Sequence, residues 1–126
     1  MKIKVLIADD HAIVREGVRM ILAKEKDIDV IGEAEDGAQA LQLVESAKPD
    51  VVVMDISMPG MGGIEATQKV KEHHPKVAVL ALTMHEDETY VFQLLRAGAS
   101  GYVLKRAAAH DLVQAVRAAA KGEAFL

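Results

Sequence analysis

Short apolar runs alternate along the whole chain with longer segments in which apolar residues recur at helical spacing. The runs are rich in valine, isoleucine and leucine, and they are mostly apolar throughout instead of alternating with polar residues. Such runs are typical of strands in a parallel sheet that is buried on both faces. They predict five strands, at residues 3–8, 30–34, 51–54, 77–82 and 102–104.

The segments that follow the strands each present one apolar face, which predicts five helices. The third begins near Gly63 and the fifth spans about residues 108–121. The fourth spans about residues 86–97, with Gly98 as its C-cap. The side chains predicted to face the core are Val14, Val18, Ile21, Leu22, Leu41, Val44, Ile64, Thr67, Val70, Val91, Leu94, Leu95, Leu112, Val113 and Val116.

Five strands that alternate with five helices give an α/β fold of the (βα)5 type. Parallel neighbours need crossover connections, and right-handed crossovers place helices on both faces of one doubly wound sheet. We therefore predict a flavodoxin-like five-stranded sheet with strand order 2-1-3-4-5. The periodicity alone supports the class of fold, but it does not determine that strand order.

Composition narrows the class of protein further. The chain has 126 residues, which fits one domain with a full core, and 51% of them are hydrophobic. The net charge of −4 does not indicate a basic surface that would bind nucleic acid or anionic membranes. The lack of cysteine excludes disulfides and thiolate metal sites. The first residues contain no secretory signal or membrane span, so we take the cytoplasm as the default location.

Polar residues follow four of the predicted strands at the point where each strand ends. Asp9 and Asp10 follow the first strand, Asp55 the third, Thr83 the fourth and Lys105 the fifth. Because the carboxyl ends of parallel strands lie at one edge of a sheet, these side chains should line a common pocket. Any one of them alone is more often a turn cap or a solvated side chain, so the prediction depends on the set.

The predicted pocket suits phosphoryl transfer. Two like charges about 4 Å apart repel by roughly 4 kcal/mol at an effective dielectric near 20, so clustered carboxylates recruit a cation or raise a pKa. The strand ends supply oxygen ligands without histidine or cysteine, which favours Mg²⁺. Lys105 and Thr83 add a positive charge and a hydroxyl donor for phosphoryl oxygens, which leaves Asp55 as the nucleophile.

These residues resemble the receiver domain of two-component response regulators. The resemblance covers essentially the whole chain and rests on Asp9-Asp10, the segment 55–65, Thr83 and the segment 97–105 that ends in Lys105. The opening Asp9-Asp10-His11 and the final segment 122–126 are most similar to the NarL/FixJ subfamily. There a linker and a LuxR-type helix-turn-helix domain usually follow. We therefore expect an isolated receiver over residues 1–126, with the output domain outside this chain.

The resemblance implies the metal ligands and the acceptor. Asp55 would accept a phosphoryl group from a sensor histidine kinase. Asp10, Asp55 and the backbone carbonyl of Ser57 would bind Mg²⁺, and Asp9 would contribute through a water molecule. The chain would then be its own substrate and lose the group by hydrolysis, so we do not expect an enzyme that turns over a diffusible substrate.

The resemblance also implies how the signal leaves the site. Lys105 would contact the phosphoryl group, and Thr83 and Tyr102 would form a switch pair. Phosphorylation would favour a homodimer or release an output domain, and DNA would be bound only through that domain, with no membrane partner. His85, two residues after Thr83, occupies a position that in the family tunes hydrolysis and kinase pairing.

Three other functions compete with a phosphorylation switch. A phosphatase of the haloacid dehalogenase type needs a second aspartate two residues after its nucleophile, and Ser57 occupies that position. A dinucleotide-binding module needs glycines in the first strand–helix turn, where Asp9-Asp10-His11 would repel phosphate. The remaining alternative is an interaction module that works without phosphorylation, which the complete set of site residues disfavours.

Overall fold

The computed structural model describes residues 2–84 and 88–126, which form a three-layer α/β fold. No helix within these residues has the length and apolar character needed to cross a lipid bilayer. A single turn of 3₁₀ helix, Lys105–Ala107, links the last strand to the last helix. The strands and helices are β1 (Ile3–Ala8), α1 (Ala12–Ala23), β2 (Ile28–Ala34), α2 (Gly37–Ala47), β3 (Val51–Asp55), α3 (Gly63–His73), β4 (Ala78–Thr83), α4 (Glu88–Ala97), β5 (Gly101–Leu104) and α5 (Ala108–Ala120).

The sheet confirms the predicted topology. Its order is β2-β1-β3-β4-β5, and every pair of neighbouring strands is parallel. β1 lies beside β3, where Val5 pairs with Val51 and Ala8 with Met54. The chain therefore moves outward in opposite directions from these two central strands, and the crevice beyond their carboxyl ends is where open α/β sheets bind ligands.

Apolar side chains fill both faces of the sheet. On one face, strand residues pack against α1 and α5, where Leu22 and Leu112 are fully buried. On the other face they pack against α2 and α3, where Val44 and Val70 are fully buried. A smaller third cluster lies under α4 and contains Leu94. Burial on both faces explains why the central strands β3 and β4 are almost wholly apolar in sequence.

Two details of the predicted elements are wrong. β2 begins at Ile28, two residues before the predicted start, because Ile28 already pairs with Ile3. Leu95 was expected to face the core, but 38% of its surface is exposed, whereas Leu94 is buried. Successive residues of a helix point about 100° apart, so a narrow contact cannot bury both side chains. The predicted start of the fourth helix, at residue 86, lies outside the described residues.

α5 ends in a turn that brings the chain back to the sheet. Gly122 has a φ of 78°, and its N–H donates to the Ala119 carbonyl while the Glu123 N–H donates to the Ala118 carbonyl. This pair of bonds is a Schellman motif. The returning chain places Phe125 in a parallel bridge with Gly101 at the outer edge of β5. A Cβ atom on Gly101 would lie 2.1 Å from the Phe125 carbonyl oxygen, so this close approach requires glycine.

An ion-pair cluster, which the sequence analysis did not predict, joins α5 to the turn between α1 and β2. The Arg117 guanidinium donates to both carboxylate oxygens of Asp27 at 2.9 Å and to Glu25 at 2.8 Å. The hydrogen bond from Arg117 lowers the pKa of Asp27 below its usual range, and the two carboxylates raise the pKa of Arg117. This cluster ties the last helix to the first third of the chain.

Candidate functional site

The carboxyl edge of the sheet gathers the polar residues that the sequence analysis selected. Asp55 and Thr83 are the last residues of β3 and β4, and Asp9 and Lys105 directly follow β1 and β5. Asp9, Asp55 and Thr83 are each at most 1% exposed. Because buried carboxylates are rare and gather at functional sites, the burial of Asp9 and Asp55 marks this edge as the candidate site.

Asp9 is held in place by backbone and side-chain contacts. Its N–H donates to the Ala34 carbonyl at 3.0 Å, which extends the pairing of β1 with β2, and its carbonyl accepts from Arg15 at 2.6 Å. Its Oδ1 accepts from the N–H of His11 at 2.8 Å. These bonds fix the backbone of the β1–α1 turn, so the acidic side chains of that turn are directed by the fold.

Lys105 joins the two buried carboxylates. Its Nζ lies 3.3 Å from Asp9 Oδ2 and 3.2 Å from Asp55 Oδ1, and only 17% of its side chain is exposed. Asp55 Oδ1 also accepts a hydrogen bond from the N–H of Ser57 at 3.3 Å. The ammonium group therefore lies at the site, as the sequence predicted, and it bridges the ends of β1 and β3.

The charges at the site alter its protonation equilibria. Burial raises the pKa of Asp55, and the neighbouring Asp9 raises it further, while Lys105 and the Ser57 N–H only partly offset this. Burial opposes the charge on Lys105, but the charge of Asp55 and then that of Asp9 outweigh it, so the pKa of Lys105 is raised. Lys105 therefore remains positively charged. Its charge and the Ser57 N–H compensate only part of the cost of a negative charge on the buried Asp55 carboxylate.

Three carboxylate oxygens of the site lack a hydrogen-bond partner among the described residues. They are Asp9 Oδ2, Asp10 Oδ1 and Asp55 Oδ2. Ligand atoms of these residues lie within 4.8 Å of one another. Three carboxylates and one ammonium group leave two formal negative charges, which one divalent ion would neutralise. The donor set, with three oxygens that accept no hydrogen bond from residues 2–84 and 88–126, therefore fits a hard divalent cation.

His11 is a member of the same cluster, which corrects the expectation that no histidine lies at the site. Its Nδ1 is 3.4 Å from Asp9 Oδ1 and 3.3 Å from Asp10 Oδ1, within the group of ligand atoms described above. Its position next to Asp10 in the sequence was the available signal. The pattern of strand ends does not indicate His11, because it is the third residue after β1.

The remaining predicted residues lie at the rim or along the sheet. Ser57 is exposed two residues after Asp55. Tyr102 is half-buried and packs against a cluster that includes Leu94 of α4, and it pairs with Ala81 of β4. Thr83 is two residues beyond Ala81, so Thr83 and Tyr102 belong to the same face of the sheet. His85 lies outside the described residues.

Gly63 allows α3 to begin close to Asp55. A Cβ atom on Gly63 would lie 2.3 Å from the Asp55 carbonyl oxygen and 2.5 Å from the Cα of Ile56. The Gly63 N–H donates to the Ile56 carbonyl at 3.3 Å, which closes the loop between β3 and α3. The glycine-rich loop therefore has a packing function, because it brings a helix against the backbone of the buried carboxylate.

Comparison with known proteins gives one consistent family. The profile of the response regulator receiver domain matches residues 5–117. The transcriptional regulatory protein DegU of Brevibacillus brevis is 47% identical over 125 residues, which cover 99% of this chain and 53% of DegU. The oxygen regulatory protein NreC of Staphylococcus haemolyticus is 49% identical over 124 residues, which cover 98% of this chain and 57% of NreC.

A solved structure with a similar fold is also the receiver domain of a response regulator. The signal receiver domain of the response regulator NarL from Mycobacterium tuberculosis has a TM-score of 0.93 and 38% identity, over 97% of this chain and 98% of that one. The match to an isolated receiver therefore extends over nearly the full length of both chains. By contrast, the chain spans about half the length of the curated relatives it matches.

Proposed function

Because this chain belongs to the response regulator receiver family, with NarL/FixJ-type relatives, we propose that it is a phosphorylation-activated switch whose acceptor is Asp55. The observation that carries the proposal is the position of Asp55. Its carboxylate is buried at the switch point of the sheet, 3.2 Å from the Lys105 ammonium and beside two further aspartates. A buried acid in this setting is a nucleophile next to a charge that attracts phosphoryl oxygens.

The transfer conserves atoms and charge in two steps. An Asp55 oxygen forms a bond to phosphorus as the bond from phosphorus to the imidazole nitrogen of a phosphohistidine breaks, and the nitrogen keeps the electron pair. The positive charge of Lys105 stabilises the negative charge on the phosphoryl oxygens during this exchange, since its ammonium already lies within ion-pair distance of Asp55. Water later attacks the phosphorus as the bond to the Asp55 oxygen breaks, so the carboxylate is restored with its electron pair and the water's oxygen and protons leave with inorganic phosphate.

Asp10, Asp55 and the backbone carbonyl of Ser57 would hold Mg²⁺, with Asp9 acting through water. When bound, the ion would neutralise charge on the phosphoryl oxygens. One oxygen on each of Asp9, Asp10 and Asp55 accepts no hydrogen bond from the described residues, which supports this assignment. Asp10 is the least buried of the three, with 25% of its side chain exposed, so it is the acid that an ion entering from solvent can reach.

We expect Mg²⁺ to stabilise the chain and the substitution Asp10→Ala to remove that effect. An ion that binds only the folded state raises the free energy of unfolding by about 2.7 kcal/mol at 100 times its dissociation constant. Thermal unfolding with and without Mg²⁺ measures the difference, and Asp29→Ala, an exposed acid on β2, is the matched control. An equal Mg²⁺-induced shift in melting temperature for Asp10→Ala and the unsubstituted chain would exclude this metal site.

The phosphoryl group would act on the switch pair through charge. Thr83 and Lys105 lie at the ends of neighbouring strands and can approach the new oxygens, while Tyr102 of β5 packs against a cluster that includes Leu94 of α4. Changing a two-state population from 1:99 to 99:1 requires roughly 5.5 kcal/mol of differential stabilisation. Two or three charge-assisted hydrogen bonds at about 1.5–3 kcal/mol each can supply it. Tyr102 would then turn inward and reshape the surface formed by α4, β5 and α5.

Beryllofluoride, a phosphoryl mimic, should therefore change NMR shifts beyond the acidic pocket. With Mg²⁺ present, we expect amide shifts from α4 through α5, and we expect Thr83→Ala to confine the changes to the pocket. Light scattering on the same samples measures whether the chain forms a homodimer. Shifts limited to the acidic pocket in the unsubstituted chain would contradict the switch, and unchanged mass would contradict dimerisation alone.

The partners follow from the same proposal. A sensor histidine kinase would supply the phosphoryl group, in the cytoplasm, and the chain would not turn over a diffusible substrate. DegU is named as a transcriptional regulator, and this chain matches only 53% of its length. We therefore propose that a DNA-binding output domain outside this chain carries the response, so that DNA is contacted only through that domain.

A further inference from the structure

We infer that Arg15 is a positioning residue for phosphoryl transfer, because it fixes the main chain of Asp9 and thereby the bridge from Asp9 through Lys105 to Asp55. The inference rests on the proposed function, in which Asp55 is the acceptor. It goes beyond that function because it assigns a role to a residue of α1, whereas the predicted site residues follow the strands. Arg15 reaches the site through a carbonyl oxygen of the main chain.

The Asp9 carbonyl lies just beyond the sheet and takes its hydrogen bond from a side chain. β1 and β2 pair as far as Ala8 and Ala34, and the Asp9 N–H adds one further bond, to the Ala34 carbonyl at 3.0 Å. The Asp9 carbonyl accepts from Arg15 Nη1 at 2.6 Å. Because Asp9 is fully buried, its carbonyl would be costly without a donor. Arg15 therefore completes the backbone hydrogen bonding of the residue that carries the buried carboxylate.

Three partners fix the direction of the Arg15 guanidinium. Besides the bond from Nη1 to the Asp9 carbonyl, Nε lies 3.3 Å from Glu33 Oε1 and Nη2 lies 3.7 Å from Glu35 Oε1. The guanidinium is planar, so partners at all three nitrogens leave it little freedom to turn. Only 13% of the side chain is exposed. One side chain therefore holds the turn after β1 to the end of β2.

A series of contacts leads from Arg15 to the acceptor. Asp9 Oδ2 lies 3.3 Å from Lys105 Nζ, and the same ammonium lies 3.2 Å from Asp55 Oδ1. A shift of the Asp9 main chain would move its carboxylate, and the ammonium would then change its place relative to the Asp55 oxygen. A displacement of about 1 Å at a reacting site can lower a rate by roughly 100-fold, even when the substitution is remote. Loss of the Arg15 contacts should therefore slow the gain of a phosphoryl group at Asp55.

The shape of the Arg15 side chain should matter as well as its charge. Lysine keeps the positive charge but presents a single nitrogen, which cannot contact the Asp9 carbonyl, Glu33 and Glu35 in their three directions. A residue that acted only through its charge would tolerate lysine. Arg15→Lys should instead slow phosphoryl gain, because the hold on the Asp9 main chain is lost.

The test measures the rate of phosphoryl gain by mass spectrometry of the intact chain, with Mg²⁺ and a small acyl phosphate. Arg15→Lys is compared with Arg19→Lys, the matched control. Arg19 also lies on α1 and its Nε is 3.7 Å from Glu33 Oε2, but its closest ion pair is with Glu16 of the same helix. We expect Arg15→Lys to gain the group roughly 10- to 100-fold more slowly than the unsubstituted chain, and Arg19→Lys to gain it at an unchanged rate.

A merely structural contribution of Arg15 is recognised from unfolding. Urea unfolding of each variant gives the fraction of folded chains, and the rates are compared per folded chain. A slow rate per folded chain in Arg15→Lys alone supports positioning. If Arg15→Lys lowers the free energy of unfolding but gains the phosphoryl group as fast per folded chain as Arg19→Lys, the inference is wrong.

A second measurement uses the unsubstituted chain, so it decides the question even if Arg15→Lys does not fold. NMR of the guanidinium group should show hindered rotation at Arg15, because its three nitrogens each have a partner. Free rotation of this group would overturn the inference. Failure of the proposed function is recognised separately, because Asp55→Asn would then still gain the phosphoryl group.

Discussion

Asp55→Asn should gain no phosphoryl group under conditions in which the unsubstituted chain gains one. The substitution keeps the size and the hydrogen-bonding oxygen of the side chain but removes the charged nucleophile. Asp55 is 1% exposed and its Oδ1 is 3.2 Å from the Lys105 Nζ, so an exposed acid lacks the burial that distinguishes this position. Mass spectrometry of the intact chain, after incubation with Mg²⁺ and a small acyl phosphate, measures the gain directly.

The neighbouring Asp50 provides the control for this experiment. It is exposed, and it lies just before β3, at the opposite end of the strand from Asp55. Asp50→Asn removes one carboxylate from the same strand region, and this variant should be labelled as fully as the unsubstituted chain. Equal labelling of Asp55→Asn and Asp50→Asn would mean that another residue is the acceptor, and the proposed mechanism would be wrong.

Gly63→Ala should destabilise the fold by roughly 3 kcal/mol, the upper part of the usual range for overpacking. The added methyl group would lie 2.3 Å from the Asp55 carbonyl oxygen, and backbone atoms cannot move aside as a flexible side chain can. The start of α3 or the end of β3 must shift, so Mg²⁺ should also stabilise this variant less. Urea unfolding with and without Mg²⁺ measures both effects.

Gly17→Ala is the matched control, and it should change stability in the opposite direction. Gly17 lies inside α1, and a Cβ atom there would have no neighbour within 4 Å. Alanine in a helix interior is favoured over glycine by about 1 kcal/mol, so unfolding should require more urea. If Gly63→Ala is as stable as the unsubstituted chain, the close contact between α3 and the Asp55 backbone does not exist in solution.

The class of fold was predictable because it is indicated by the hydrophobic pattern within each short segment of the sequence. The central strands β3 and β4 are buried at every position, so their sequences are almost wholly apolar, and Val51 to Val53 show this directly. The strand order was confirmed, although the hydrophobic pattern does not determine it. Errors occurred where tertiary contact decides the outcome. Ile28 joins β2 through its partner on β1, and Leu95 remains exposed because α4 contacts the sheet along a narrow face.

The site was predictable to the extent that it is formed by strand ends. Asp9, Asp55, Thr83 and Lys105 follow from topology, because parallel strands end at the same edge. The direction of the His11 side chain depends on hydrogen bonds within one turn, and the pattern of strand ends contains no information on it. Arg117 pairs with an aspartate 90 positions away, a contact that no local pattern encodes.

The bridge between Phe125 and Gly101 bears on how self-association of receivers is interpreted. β5 is an outer strand, and the unpaired N–H and carbonyl groups of an outer strand can recruit a strand from another molecule. Here the N–H of Tyr102 donates a hydrogen bond to the carbonyl oxygen of Phe125 at 3.0 Å, so the returning end of the chain covers part of this edge. A receiver shortened before Phe125 would leave the N–H of Tyr102, the proposed switch residue, without this acceptor. Dimers of the shortened piece would then report strand pairing at an open edge, with no relation to the state of Asp55.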